Sequence, residues 1–117
     1  MAKIINTTPH PITFRSEDGA EFTIAPCGVF INARPVEELM GAPRDGVQFV
    51  RVQFVPEIAS VDALDKLDAE NPGAIIVGSI IAAQAFPGRV FGMTPAAGFE
   101  RVPVDQKRMN PNKFTTY

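Results

Sequence analysis

The side chains with the chemistry to bind or to react are few and spread along the chain. His10 is the only histidine, fixed between Pro9 and Pro11, and a catalytic imidazole needs a nucleophile or carboxylate within hydrogen-bond reach. Asn6, Thr7 and Thr8 stand beside it, but no nucleophile motif does. The plainer expectation is an imidazole tied to backbone that holds the bend; the functional alternative is ligand contact through Asn6, Thr8 and His10. The second group is Gly78-Ser79, between the apolar runs Ala74-Ile75-Ile76-Val77 and Ile80 to Phe86. A strand that enters a helix through Gly-Ser leaves backbone N–H groups free at the helix start, where a phosphate can sit. The plainer alternative is that Ser79 only caps the helix. Arg89 follows Pro87-Gly88, and Arg101, Lys107 and Arg108 come within reach if the chain folds back. Arginine suits bidentate phosphate contact, although arginines flanking strands are commonly solvated.

Other chemistries find little support. Cys27 is the only cysteine, so no intramolecular disulfide forms, and one Cys with one His makes a poor metal set. Cys27 is expected half-buried beside the Pro26-Cys27-Gly28 turn. Asp62, Asp65, Asp68 and Glu70 fall on one short helix, where their expected role is to solvate its outer face. Neither a P-loop, a dinucleotide fingerprint nor a zincin motif is present. No cofactor or metal is expected, and enzyme is the weakest class.

The bulk properties bound the rest. With 117 residues and 45% hydrophobic content, the chain is long enough to bury a core in one domain. Eleven prolines and nine glycines favour short strands and turns over long helices. A net charge of −2 argues against a duplex nucleic-acid partner. The longest apolar run, Ala74 to Phe86, falls short of the ~20 residues that cross a bilayer, and the opening Met1 to Asn6 carries no apolar stretch of signal-peptide length. These features place the expected setting in the cytoplasm, without a membrane partner.

The elements that must position these groups follow from local pattern. Lys3 to Asn6 reads as a short strand, and Ile12 to Arg15 with Phe22 to Ile24 as a hairpin turning at Gly19. Val29 to Ala33 reads as a third strand and Val36 to Met40 as one helical turn. Val47 to Val55 alternates as a strand placed centrally in the sheet. Ser60 to Glu70 is the clearest helix, with Ser60 as N-cap and acids in its first turn. Ile75 to Val77 is a buried strand, Ile80 to Phe86 a small helix, and Arg89 to Met93 with Phe99 to Val102 a closing hairpin. The expected fold is α+β: a small, mainly antiparallel sheet or partial barrel of about six short strands, with one or two short helices packed on it. Residues 1–102 form the globular domain and residues 103–117 an extended tail, whose Lys107, Arg108, Phe114 and Tyr117 are candidates for partner contact.

The run Ile5-Asn6-Thr7-Thr8-Pro9-His10-Pro11-Ile12 resembles the Asn-Leu-Thr-Pro-His-x-Ile opening of a family of small phage, prophage and bacterial proteins. Pro26-Cys27-Gly28 is similar to that family's Pro-x-Gly turn. Val77 to Gln84 resembles its Val-x-Ser-x-(Ile/Val)-Ala-x-Gln stretch. Thr7 stands where the family has Leu, and the segment from Gly92 is longer than in many members. The resemblance implies a phage context and carries no mechanism with it.

Three readings follow. The first is a non-catalytic, oligomeric protein that binds and sequesters a nucleotide-derived, phosphate-bearing signal through Asn6, Thr8, His10, Gly78, Ser79 and Arg89, blunting host defence. The second is a structural or interaction protein, such as a virion accessory subunit, that uses its C-terminal tail. The third is a nucleotide-directed enzyme using His10. In the first reading a homo-oligomer in the host cytoplasm is expected, in the second a place in the virion.

Overall fold

In the computed structural model, which describes residues 3–117, eight strands and two helices follow one another. They are β1 (Ile4–Asn6), β2 (Ile12–Arg15), β3 (Glu21–Ile24), β4 (Ala33–Leu39), β5 (Val50–Pro56), α1 (Ile58–Glu70), β6 (Ile75–Val77), α2 (Ile80–Ala85), β7 (Gly92–Pro95) and β8 (Met109–Thr115). The fold is α+β, and the described strands form three separate sheets and close no barrel. Met1 and Ala2, which begin the segment expected to lack an export signal, lie outside the described residues.

The middle layer is the parallel pair β1–β6, in register Ile4↔Ile75, Ile5↔Ile76 and Asn6↔Val77. Single bridges to Pro26 and Phe91 widen it. Parallel strands covered on both faces read as continuous apolar runs, as Ile4-Ile5 and Ile75-Ile76-Val77 do. Alternation then sends Ile5 and Ile76 to one side, where they meet Leu64 and Leu67 of α1 and Ala82 and Ala83 of α2. Ile4 and Val77 face the other side and meet Phe14 and its neighbours. Two cores thus share one thin ribbon.

The second core rests on a four-stranded sheet in the order β3-β2-β8-β7. The β2–β3 hairpin pairs Ile12 with Ile24 and Arg15 with Glu21. Phe14 is fully buried; its ring stacks on Phe22 at 5.4 Å and tilts against Phe114 at 6.4 Å. At the sheet's end Glu21 accepts a hydrogen bond from Arg15 Nη1 at 2.8 Å and lies 3.2 Å from Arg108 Nε, so one carboxylate draws together β2, β3 and the start of β8.

The third sheet is β4–β5 alone, seven residue pairs from Ala33↔Pro56 to Leu39↔Val50. Only its root touches the body: Ala33 and Phe54 pack on the helical core. Asn32 is stapled across the arm's base, its N–H donating to Ser60 Oγ at 2.8 Å and its carbonyl accepting from Glu57 N at 3.4 Å. The radius of gyration is 16.9 Å, against about 13.4 Å for a compact chain of this length. The extents of 55 × 36 × 20 Å likewise require a projection.

Several local expectations are corrected. Ser60 is not an N-cap: α1 begins earlier, with Glu57 at its N-cap and no acid in the first turn, because the Ser60 hydroxyl is occupied in holding Asn32. Val29 to Ala33 is not a separate strand, since of these only Ala33 is paired, as the first residue of β4; Val36 to Met40 is not a helical turn, since each residue from Ala33 to Leu39 finds a partner on β5. Val47 to Val55 is not central: among the described residues β5 pairs with β4 alone, and Pro35 on β4 cannot donate to a further strand on that side. Residues beyond Pro103 do not form a bare tail: β8 lies inside the sheet, antiparallel to β7 and parallel to β2. Phe99 to Val102 is a turn where a strand was expected. Cys27 is exposed, its Sγ 3.5 Å from the Val29 carbonyl.

The Arg15 hydrogen bond lowers the Glu21 pKa; partial desolvation opposes this and Arg108 adds to the lowering. A carboxyl held below its unfolded value stabilises the fold fully above about pH 4.3, and that contribution is lost as pH falls through the folded value. Urea denaturation of wild type and Glu21→Gln should therefore give midpoints that differ near neutrality and converge as the pH drops below about 4.

Candidate functional site

Asn6 has the most extensively hydrogen-bonded side chain among the described residues. Its side chain is wholly buried, and its hydrogen-bonding capacity is taken up inside the chain. Nδ2 donates to the His10 carbonyl at 2.7 Å and the Ile24 carbonyl at 3.1 Å. Oδ1 accepts from Thr8 N at 2.8 Å and Thr8 Oγ1 at 2.6 Å. The Asn6 carbonyl accepts from Cys27 N at 2.9 Å. Thr7, the next residue, donates both N–H (3.0 Å) and Oγ1 (2.7 Å) to the Val77 carbonyl. The Asn-Thr-Thr-Pro-His run is thus a cage around one amide, joining β1, β3, β6 and the bend.

Ser79 and Gly78 are equally engaged. Ser79 Oγ accepts from Ala82 N at 3.1 Å, the geometry of an N-cap. A Cβ on Gly78 would stand 2.9 Å from Val90 Cγ1 and 3.1 Å from Thr7 Oγ1, so close packing demands glycine there. Beside them a cavity of about 320 Å³ is lined by Thr7, Thr8, Pro9, Phe30, Ile31, Asn32 and Ser79. It holds no charged side chain, and the Thr7, Thr8 and Ser79 hydroxyls are already partnered within the fold.

Arg89 points elsewhere. Its Nη2 donates to Asp65 Oδ1 at 2.7 Å and Asp68 Oδ2 at 2.8 Å, which raises the arginine's pKa, through Asp68 first and then Asp65. The guanidinium locks the turn after α2 to the outer face of α1. Those two aspartates, expected to solvate their helix, carry an ion pair that three-residue spacing on a helix face makes possible.

His10 opens on a third place, a cleft of about 390 Å³ that it shares with Asp105, Lys107 and Arg108 among others. Of the candidates for partner contact, Lys107 and Arg108 are therefore beside His10. Phe114 packs against Phe14 in the second core, and Tyr117 is half-exposed. Asn6, Thr8, Gly78 and Ser79 come together around the β1–β6 layer, while His10 and Arg89 face other surfaces. Among the described residues no three His, Cys, Asp or Glu side chains are grouped to hold a metal, and no helix is long and apolar enough to cross a membrane.

The surface that sequence reasoning missed is the β4–β5 arm. Leu39, Val50 and Val52 share one face with Phe54 by register, yet are 68%, 41% and 46% exposed. The signal was present in the apolar alternation of Val47 to Val55. Alternation shows that a face is to be buried, not which chain buries it.

Removing the Asn6 amide takes away the side-chain hydrogen bonds to the Ile24 carbonyl and the Thr8 N–H, and leaves the His10 carbonyl only Thr8 Oγ1 at 3.0 Å. Asn6→Ala should lower the unfolding free energy by roughly 3 kcal/mol in urea denaturation. Ser79→Ala, which removes one cap, should cost about 1 kcal/mol.

The chain was compared with protein-family models, with curated proteins and with solved structures, and none of them matches it.

Proposed function

We propose that this protein is a non-catalytic interaction protein that works by docking its β4–β5 arm on another protein. The observation that carries this reading is the apolar stripe Leu39, Val50 and Val52, projected beyond the reach of its own body. Large apolar side chains gathered on a projecting element mark contact surfaces. In the phage context implied by the opening motif, this corresponds to an accessory structural subunit, with the contact made by the arm and the C-terminal segment serving as a sheet strand.

The charges near the other candidate groups also favour this reading over sequestration of a phosphate-bearing ligand. Arg89 is committed to Asp65 and Asp68, and Arg15 and Arg108 to Glu21. The Ser79 cavity offers a phosphate no cation. His10 shares its cleft with Thr13, Asp105, Lys107 and Arg108, but its hydrogen bonds among the described residues run through its carbonyl and not its imidazole, so a His10-based enzyme draws little support from this geometry.

Pro35 and Phe54 stand directly opposite each other. Replacing residues 36–53 with Asn-Gly, a two-residue hairpin turn, therefore shortens the arm without touching the root. Affinity purification of the full chain from its native host should recover a stoichiometric protein complex, and the shortened chain should lose it. Equal recovery by both would sink the reading. Calorimetry with cyclic nucleotides and ADP-ribose derivatives should show no heat of binding.

A further inference from the structure

We infer that the protein the arm docks on is a second copy of this chain, the two arms lying antiparallel about a two-fold axis with the Leu39, Val50 and Val52 stripes face to face. This rests on the reading of the arm as a docking element and names its partner.

The stripe is the outward continuation of the protein's own core. Phe54 and Ala33 at the root are packed on the helices, and Val52, Val50 and Leu39 follow on the same face with nothing over them. A two-stranded ribbon standing alone is marginal in water. Seven residue pairs make it about 23 Å long, so its distal half needs cover from outside the chain.

The size fits a dimer. In the antiparallel arrangement the tip of one arm reaches the root of the other. There α2, which packs beside β4 and β5, leaves Ile80 and Ile81 exposed. With an aliphatic side chain offering on the order of 120 Å² of apolar surface when free, Leu39, Val50, Val52, Ile80 and Ile81 at their observed exposures present roughly 300 Å² per copy. A standard interface takes about 800 Å² from each partner, about 60% of it apolar, so these five side chains supply about two thirds of that apolar share.

The arm's charge argues against a polyanionic partner. Residues 33–56 carry Arg34, Arg44 and Arg51 against Glu37, Glu38 and Asp45, a balanced set on a chain of net charge −2. A nucleic acid or an anionic membrane would call for a basic arm. Arg34, Glu38 and Arg51 lie on the opposite face of the ribbon by register, so the stripe that meets the second copy carries a single charged residue, Glu37 opposite Val52.

Sedimentation equilibrium of the full chain should give twice the monomer mass at tens of micromolar. Leu39→Glu and Val52→Glu, each outside both cores, should weaken association by ~100-fold or more while circular dichroism stays unchanged. A wild type that remains monomeric, or a dimer that survives both substitutions, overturns the inference. A monomeric wild type whose complex from host extract still depends on residues 36–53 would refute the second copy as partner and leave the docking arm standing. A monomer whose complex is indifferent to the arm would refute both.

Discussion

The fold depends on one buried amide. Asn6 lies at the end of β1, where a parallel ribbon of only three residue pairs separates two cores. A polar side chain in that position costs several kcal/mol unless each donor and acceptor is matched. All of them are, through the bend at Thr8 to His10 and the far end of the β2–β3 hairpin. Satisfying Asn6 therefore fixes the path of the chain between β1 and β2, and hence the docking of the four-stranded sheet on the ribbon. Thr7 extends the same logic to β6 by donating twice to Val77.

This arrangement gives the residues with the look of a site a structural role. The Asn-Thr-Thr-Pro-His segment is rich in hydrogen-bonding groups because the turn uses them: Asn6 and Thr7 are buried and Thr8 half-buried, while Pro9 and His10 reach the surface. Gly78 meets the same need for close approach, with Val90 and Thr7 filling the space a Cβ would take. The ionic groups follow a parallel rule. Arg89 with Asp65 and Asp68, and Glu21 with Arg15 and Arg108, tie elements together at exposed or half-exposed positions, where such pairs contribute orientation more than energy.

The arm is built on the opposite principle. Its root is secured by Asn32, held between Ser60 and Glu57, while its outer half carries apolar residues that the body cannot cover. Hydrophobic surface held away from the core is favourable in water only in small amounts, so the arm differs from the body: the body buries its apolar residues in two cores, and the outer half of the arm leaves Leu39, Val50 and Val52 exposed.

The sequence by itself determined the elements whose signals are local. The β2–β3 hairpin needs a turn residue at Gly19, whose φ is +88°, and an alternation from Ile12 to Ile24. The small helix α2 needs Ser79 at its start, and the run Ile75 to Val77 is too apolar to lie anywhere but inside. These rest on backbone sterics and period, which act over a few residues. Only the tertiary structure decided the rest. Met109 to Thr115 has little to mark it as a strand, and becomes one because the space between β2 and β7 supplies its hydrogen bonds. Ser60 has the type of a cap and serves as a tether, because Asn32 comes to lie beside it. Val50 and Val52 have the pattern of a core strand and remain exposed, since burial depends on which surfaces meet, and the period of a strand carries no record of that.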